Sequence, residues 1–268
     1  MLKDITLGQY FPGNSVIHRL DPRVKIILSV LYIVTIFLAD SYVTYTVVIA
    51  SAFVLLFLSR LPVALILKGL RPLLFIMIFT GIINIFWTSG EHLLFSLGFI
   101  KIYREGIEFA VFMLIRIFAL VIGSCVLLTY TTSPIALTDG IESVLSFLRV
   151  VHVPVHEFAM MMTIALRFIP LLVEETDKIM NAQKSRGADF TNGSLFKRAK
   201  ALVPILVPLF ISAIYRADEL AVAMECRCYH GGNGRTKMRV MKMKFADYAS
   251  LFCMLLFLGA MIFTRVIH

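Results

Sequence analysis

From the N-terminus, the first sustained pattern is a nearly continuous apolar run from Ile26 to Leu58, broken only by Asp40 and Ser41. As one helix it would reach about 50 Å, well past a hydrocarbon core of about 30 Å. The pattern therefore predicts two short crossings, about 26–39 and 42–58, joined at Asp40 and Ser41. A third run covers 72–87 and ends on the lone tryptophan, Trp87, a residue suited to the membrane interface. Residues 88–104 read as a loop. A fourth run, about 106–130, ends at Thr131-Thr132-Ser133-Pro134, and a last one runs from Tyr248 to Ile267. The expected organisation is a membrane domain over 1–130 with four crossings, an inserted segment over 131–245, and a final crossing within 246–268.

The inserted segment has a different pattern. Val155 to Lys184 reads as one long helix, bent near Pro170, apolar in its first half and charged from Glu174 onward. Leu195 to Tyr229 reads as a second, with Pro204 and Pro208 in its apolar part and charges from Arg216 to Glu225. Ala201 to Tyr215 approaches a sixth crossing in character. Its apolar length of about 15 residues and its two prolines favour a helix lying in the interface. Two helices with apolar fronts and charged ends make a mechanical connector.

Charge sets the expected orientation. Arg19, Arg23 and Lys25 precede the first crossing, and Arg60, Lys68 and Arg71 follow the second. Cytoplasmic flanks collect Lys and Arg, so both groups and the N-terminus are expected inside. Residues 131–245 carry 15 Lys/Arg against 10 Asp/Glu and fall on the same side, which leaves His268 outside after five crossings.

Composition agrees with a membrane protein. Hydrophobic residues make up 59% and charged residues 16%, where a soluble domain carries about 25% charged. Met1 to Tyr10 is mixed and polar, without the apolar core of a secretory signal. The net charge of +9 would point to nucleic acid in a soluble protein, but here it reads as membrane orientation. Cys125, Cys226, Cys228 and Cys253 form no disulfide framework.

Several motifs carry potential chemistry. Ser185-Arg186-Gly187 and Cys226-Arg227-Cys228 each place an arginine at a helix C-terminus. One reading is a cation complementing the helix dipole. The other is a planar guanidinium offered to a partner's acidic groove, and its repetition at two helix ends favours this. Gly231-Gly232-Asn233-Gly234-Arg235-Thr236-Lys237 lacks phosphate-loop spacing and follows a helix, so it reads as a turn. Cys226, Cys228 and His230 fall short of the four ligands of a closed zinc site. His152 and His156 flank Pro154 and form no metal-binding helix motif, so no metal is expected. Arg116 stands midway through the fourth run, either as a functional intramembrane charge or as a helix-packing partner for a nearby carbonyl. No paired carboxylates or nucleophile–base arrangement emerges. A membrane enzyme would need such a cluster, and a self-contained carrier would need broken helices near the midplane. Both remain as alternatives.

Three stretches resemble one family. Residues 8–25, GQYFPGNSVIHRLDPRVK, are similar to the entry motif of energy-coupling factor transporter T components, above all in Leu20-Asp21-Pro22-Arg23 and Lys25. Residues 165–187 look like the family's first coupling helix with its terminal X-Arg-Gly. Residues 214–235 look like the second, with Cys228 where the family normally has Gly, although Cys suits a left-handed backbone less well. The resemblance covers essentially the whole chain. It implies an all-α membrane protein of about five transmembrane helices, with a cytoplasmic helical coupling domain inserted before the last. It also implies a non-catalytic scaffold in the plasma membrane of a prokaryotic cell. Two ABC-type ATPases, which hold the ATP and Mg, would dock on Arg186 and Arg227 with their neighbours Ser185, Gly187, Cys226 and Cys228. A small substrate-binding membrane subunit for a vitamin or micronutrient would sit against the apolar helix faces. For that contact the adaptable side chains of Met160, Met161 and Met162 are the candidates.

Overall fold

A computed structural model of the chain describes residues 10–90, 92–97, 100–188, 194–232 and 241–267. Gly8 and Gln9 of the entry motif, and the loop from Asn233 onward, lie outside these. The chain forms two compact units, one of Gly8–Gly140 with Met241–His268 and one centred on Ile141–Val240. It is an all-α membrane protein apart from one short hairpin.

In the first unit, α1 (Pro22–Phe37) and α2 (Tyr42–Ser59) are separated by the short turn at Asp40 and Ser41. Asp21 caps α1 by accepting the Arg23 N–H at 3.0 Å, and Pro22 occupies the first turn, where its missing N–H costs nothing. The third helix, α3 (Val63–Trp87), begins nine residues before the expected 72 and runs through Lys68, Arg71 and Pro72. Lys68 and Arg71 are exposed on its surface, so these charges decorate the helix instead of ending it. An interior proline bends a helix without always stopping it. The expected loop contains an antiparallel hairpin, β1 (Leu93–Leu97) with β2 (Ile100–Tyr103). Its short length gave little periodicity to read. Next come α4 (Arg104–Ser124) and a π-helical turn at Cys125–Thr129, closed by the Tyr130 N–H on the Cys125 carbonyl at 2.8 Å. The last helix is α8 (Phe245–Ile267).

The core joins these helices by side chains one turn apart. Val24, Leu28, Tyr32 and Ile36 of α1 meet Tyr45, Val48 and Ala52 of α2 and Ala119, Ile122 and Val126 beyond. Gly123 is required there, because a side chain would run into the Tyr32 ring.

The second unit starts within α5 (Pro134–Val144) and continues as a 3-10 turn over Leu145–Val151. It then forms α6 (Val155–Ser185) and α7 (Leu195–Cys226), packed against each other. Pro170 lies inside α6, and Pro204 and Pro208 inside α7.

Among the described residues, six helices are long and apolar enough to cross a membrane: α2, α3, α4 with its π turn, α6, α7 and α8. At 16 residues α1 spans about 24 Å and falls short of that length. The α6 and α7 spans qualify through their apolar front halves.

Candidate functional site

The two helix ends singled out in the sequence adopt one geometry. At the end of α6, the Gly187 N–H donates to the Lys184 carbonyl at 2.9 Å and the Ala188 N–H to the Gln183 carbonyl at 3.0 Å. At the end of α7, the Cys228 N–H donates to Glu225 at 2.8 Å and the Tyr229 N–H to Met224 at 3.1 Å. Both are Schellman closures, in which a left-handed residue reverses the chain and satisfies the last carbonyls. The left-handed residues are Gly187, φ 85°, and Cys228, φ 56°. Cys228 thus takes the conformation glycine would supply, against a cost of about 1–2 kcal/mol for a side-chain-bearing residue. Arg186 and Arg227 are the residues just before these turns, in equivalent positions. Both are exposed, as are Ser185, Gly187, Cys226 and Cys228. Among the described residues neither guanidinium has a hydrogen bond or ion pair.

Between α6 and α7 lies a polar contact that sequence reading did not single out. Arg216 Nη2 donates to Glu175 Oε2 at 2.9 Å, Ser212 Oγ donates to Glu175 Oε1 at 2.6 Å, and Arg216 Nε reaches Ser212 Oγ at 3.4 Å. The sequence shows the charged halves of both helices, but pairing across helices leaves no short-range signature.

Of the proposed seat, Met161 and Met162 are exposed (58% and 42%), while Met160 is half-buried. On α7, Leu206, Phe210 and Ile214 are exposed in the same way. Arg116 Nη2 donates to the Ala39 carbonyl at 2.9 Å and to Tyr45 Oη at 2.7 Å. Its guanidinium lies 5.8 Å from the Phe37 and Tyr45 ring centres, close enough for cation–π attraction.

The histidines have separate local roles. His156 Nδ1 lies 3.0 Å from Glu142 Oε1, and His230 Nδ1 lies 2.8 Å from the Cys228 carbonyl. Among the described residues no three His, Cys, Asp or Glu side chains converge on a metal position.

The entry motif proves to be a structural lock. The Asp21 N–H donates to Asp247 Oδ1 at 2.8 Å, and Asp247 Oδ2 accepts the Lys244 N–H at 2.7 Å, tying α1 to α8. Lys25, 1% exposed, donates to the Thr131 carbonyl at 2.8 Å and to Thr132 Oγ1 at 3.2 Å. Lys25 was counted as a cytoplasmic flank charge. Its burial shows that a basic residue beside an apolar run can serve packing as well as orientation.

The family model described as "Cobalt transport protein" matches residues 13–238, most of the chain. The energy-coupling factor transporter transmembrane protein of Clostridium kluyveri is 51% identical over 267 residues, covering 99% of this chain and 98% of its own. That of Ruminiclostridium cellulolyticum is 55% identical over 242 residues, 90% of each chain. That of Bacillus subtilis is 46% identical over 263 residues, 98% of each. This chain belongs to that family. It is a multi-pass transmembrane component of an energy-coupling factor transporter, and such a component implies partner subunits.

Proposed function

We propose that this chain is the scaffold of an importer, joining two cytoplasmic ATPase subunits to a small substrate-binding membrane subunit for a vitamin or micronutrient. The observation that carries this reading is the pair of identical closures presenting Arg186 and Arg227, exposed and without partners among the described residues. Dipole complementation could place a cation at each of these ends; what supports two equivalent sockets is that both guanidinium groups stand exposed at the same position of the same cap. ATP and Mg belong to the ATPases, and this chain holds no cofactor. Residues 131–245 and the N-terminus face the cytoplasm. The apolar fronts of α6 and α7, with Met160, Met161 and Met162, seat the substrate-binding subunit. ATP-driven closure of the ATPases moves the two arginines, and with them α6 and α7, so that the seated subunit reorients.

A buried interface arginine commonly costs about 2 kcal/mol or more on truncation, whereas a helix-dipole contact costs at most about 1 kcal/mol. Arg186→Ala and Arg227→Ala each weaken retention of the ATPases and cut ATP-driven uptake, and the double variant loses both. Lysine substitutes poorly, because it lacks the planar fork. Pull-down of ATPase subunits with parallel uptake assays measures this. Wild-type assembly and uptake in the double variant would leave the arginines as helix caps only.

A further inference from the structure

The polar contact between α6 and α7 lies at a matched distance from both helix ends. Glu175 precedes Arg186 by 11 residues, and Arg216 precedes Arg227 by 11 residues. On an α-helix that interval is about 16 Å and very nearly three full turns. Each terminal arginine therefore lies on roughly the same face of its helix as the bridging side chain below it.

The prolines of both helices lie on one side of this contact. Pro170 lies before Glu175, and Pro204 and Pro208 lie before Arg216, so every proline of α6 and α7 falls on the side away from the arginines. From the bridge to the tip both helices are free of proline and glycine until the closing turn, and so are stiff. The bridge is built to hold one geometry. Glu175 uses both carboxylate oxygens, one for Ser212 and one for Arg216, and Arg216 also reaches Ser212. It is partly shielded, with the Arg216 and Glu175 side chains 36% and 22% exposed.

We infer that Glu175, Ser212 and Arg216 form a pivot between two arms of equal length, and that they act as positioning residues for the arginines at the tips. The inference rests on the coupling role proposed for Arg186 and Arg227. With arms of about 16 Å, a change of 10° in the angle between the helices moves one tip by about 3 Å relative to the other. Displacement at the tips is thereby converted into rotation of the apolar front halves on the far side of the bridge. Without the bridge the helices slide on apolar contacts alone, and tip motion is lost as slippage.

The test uses the full chain in lipid nanodiscs and then the assembled transporter. Spin labels are placed at Lys184→Cys and Glu225→Cys, equivalent exposed positions in the two closures. In that background Cys228 is replaced by Gly and the other native cysteines by Ser. Double electron–electron resonance on the bridged chain should give a single narrow distance. Glu175→Gln and Arg216→Gln broaden it, and the exchanged pair Glu175→Arg with Arg216→Glu narrows it again. In the transporter, the single variants retain ATPase subunits at the wild-type level but carry about a third of the wild-type substrate, or less, per ATP hydrolysed, and the exchanged pair recovers. A narrow distance kept by the single variants, or full transport per ATP despite a broadened distance, overturns the pivot. Failure of the unmodified chain to retain ATPases strikes instead at the coupling role, and the distance measurement on the chain alone still decides whether the bridge positions the tips.

Discussion

Gly187 and Cys228 perform the same backbone task with different means. At Gly187 an added side chain would meet nothing within 4 Å, so any substitution cost there is purely conformational, arising from φ 85°. Gly187→Ala is expected to destabilise the α6 closure by about 1 kcal/mol, and Cys228→Gly to stabilise the α7 closure by a similar amount. Amide exchange reads both changes directly: Ala188 exchanges faster in the first variant, and Tyr229 slower in the second. Unchanged exchange at Tyr229 would mean that Cys228 bears no strain. At Lys25 the balance is different. Its buried ammonium donates to the Thr131 carbonyl and to Thr132 Oγ1, so Lys25→Met leaves these buried acceptors without their donor. The expected loss is about 1–3 kcal/mol, seen as a lower melting temperature of the purified protein.

For the elements, what matters is which helix face remains uncovered. On α6 the apolar front half leaves Met161 and Met162 exposed, and on α7 Phe210 and Ile214. Methionine is unbranched and polarizable, and it repacks against surfaces of differing shape. A seat of this kind suits a substrate-binding subunit held by apolar contact. Met161→Glu places a charge in that seat, far along α6 from Arg186. Capture of the substrate-binding subunit should fall while ATPase retention stays unchanged, both measured by co-purification from the same membranes. Equal capture would show that Met161 meets lipid or nothing. α3 illustrates a different point about elements: a helix that runs through Lys68, Arg71 and Pro72 continues because its neighbours hold it, with Leu70 and Ile66 buried on its inner side.

The whole molecule has an orientation as well as a fold. Arg60, Lys68 and Arg71 cluster at one end of α2 and α3, and the 131–245 segment adds a surplus of five positive charges. The side with more Lys and Arg is expected to be cytoplasmic. In a background lacking the native cysteines, an impermeant thiol reagent applied from outside should label Ser89→Cys and spare Lys184→Cys. Both positions are exposed, so differing reactivity reports sidedness. Labelling of position 184 in intact cells would reverse the assignment.

The linear pattern alone established that the chain is helical and membrane-embedded, because apolar run length and charge scarcity are properties of neighbouring residues. It also located both arginine motifs, since a helix end announces itself through local signals such as Gly187 and the loop residues after Cys228. The tertiary structure decided what depends on residues far apart in the chain. Asp247 lies 226 residues from Asp21 and yet accepts its N–H, and Arg116 finds a carbonyl at Ala39, 77 residues away. The Glu175–Arg216 bridge spans 41 residues. From the sequence Arg116 reads as a charge within an apolar run, and Glu175 and Arg216 as charges in the back halves of two helices, because the sequence reports a side chain's chemistry and period. Its partner is chosen only when packing brings two elements within hydrogen-bonding distance.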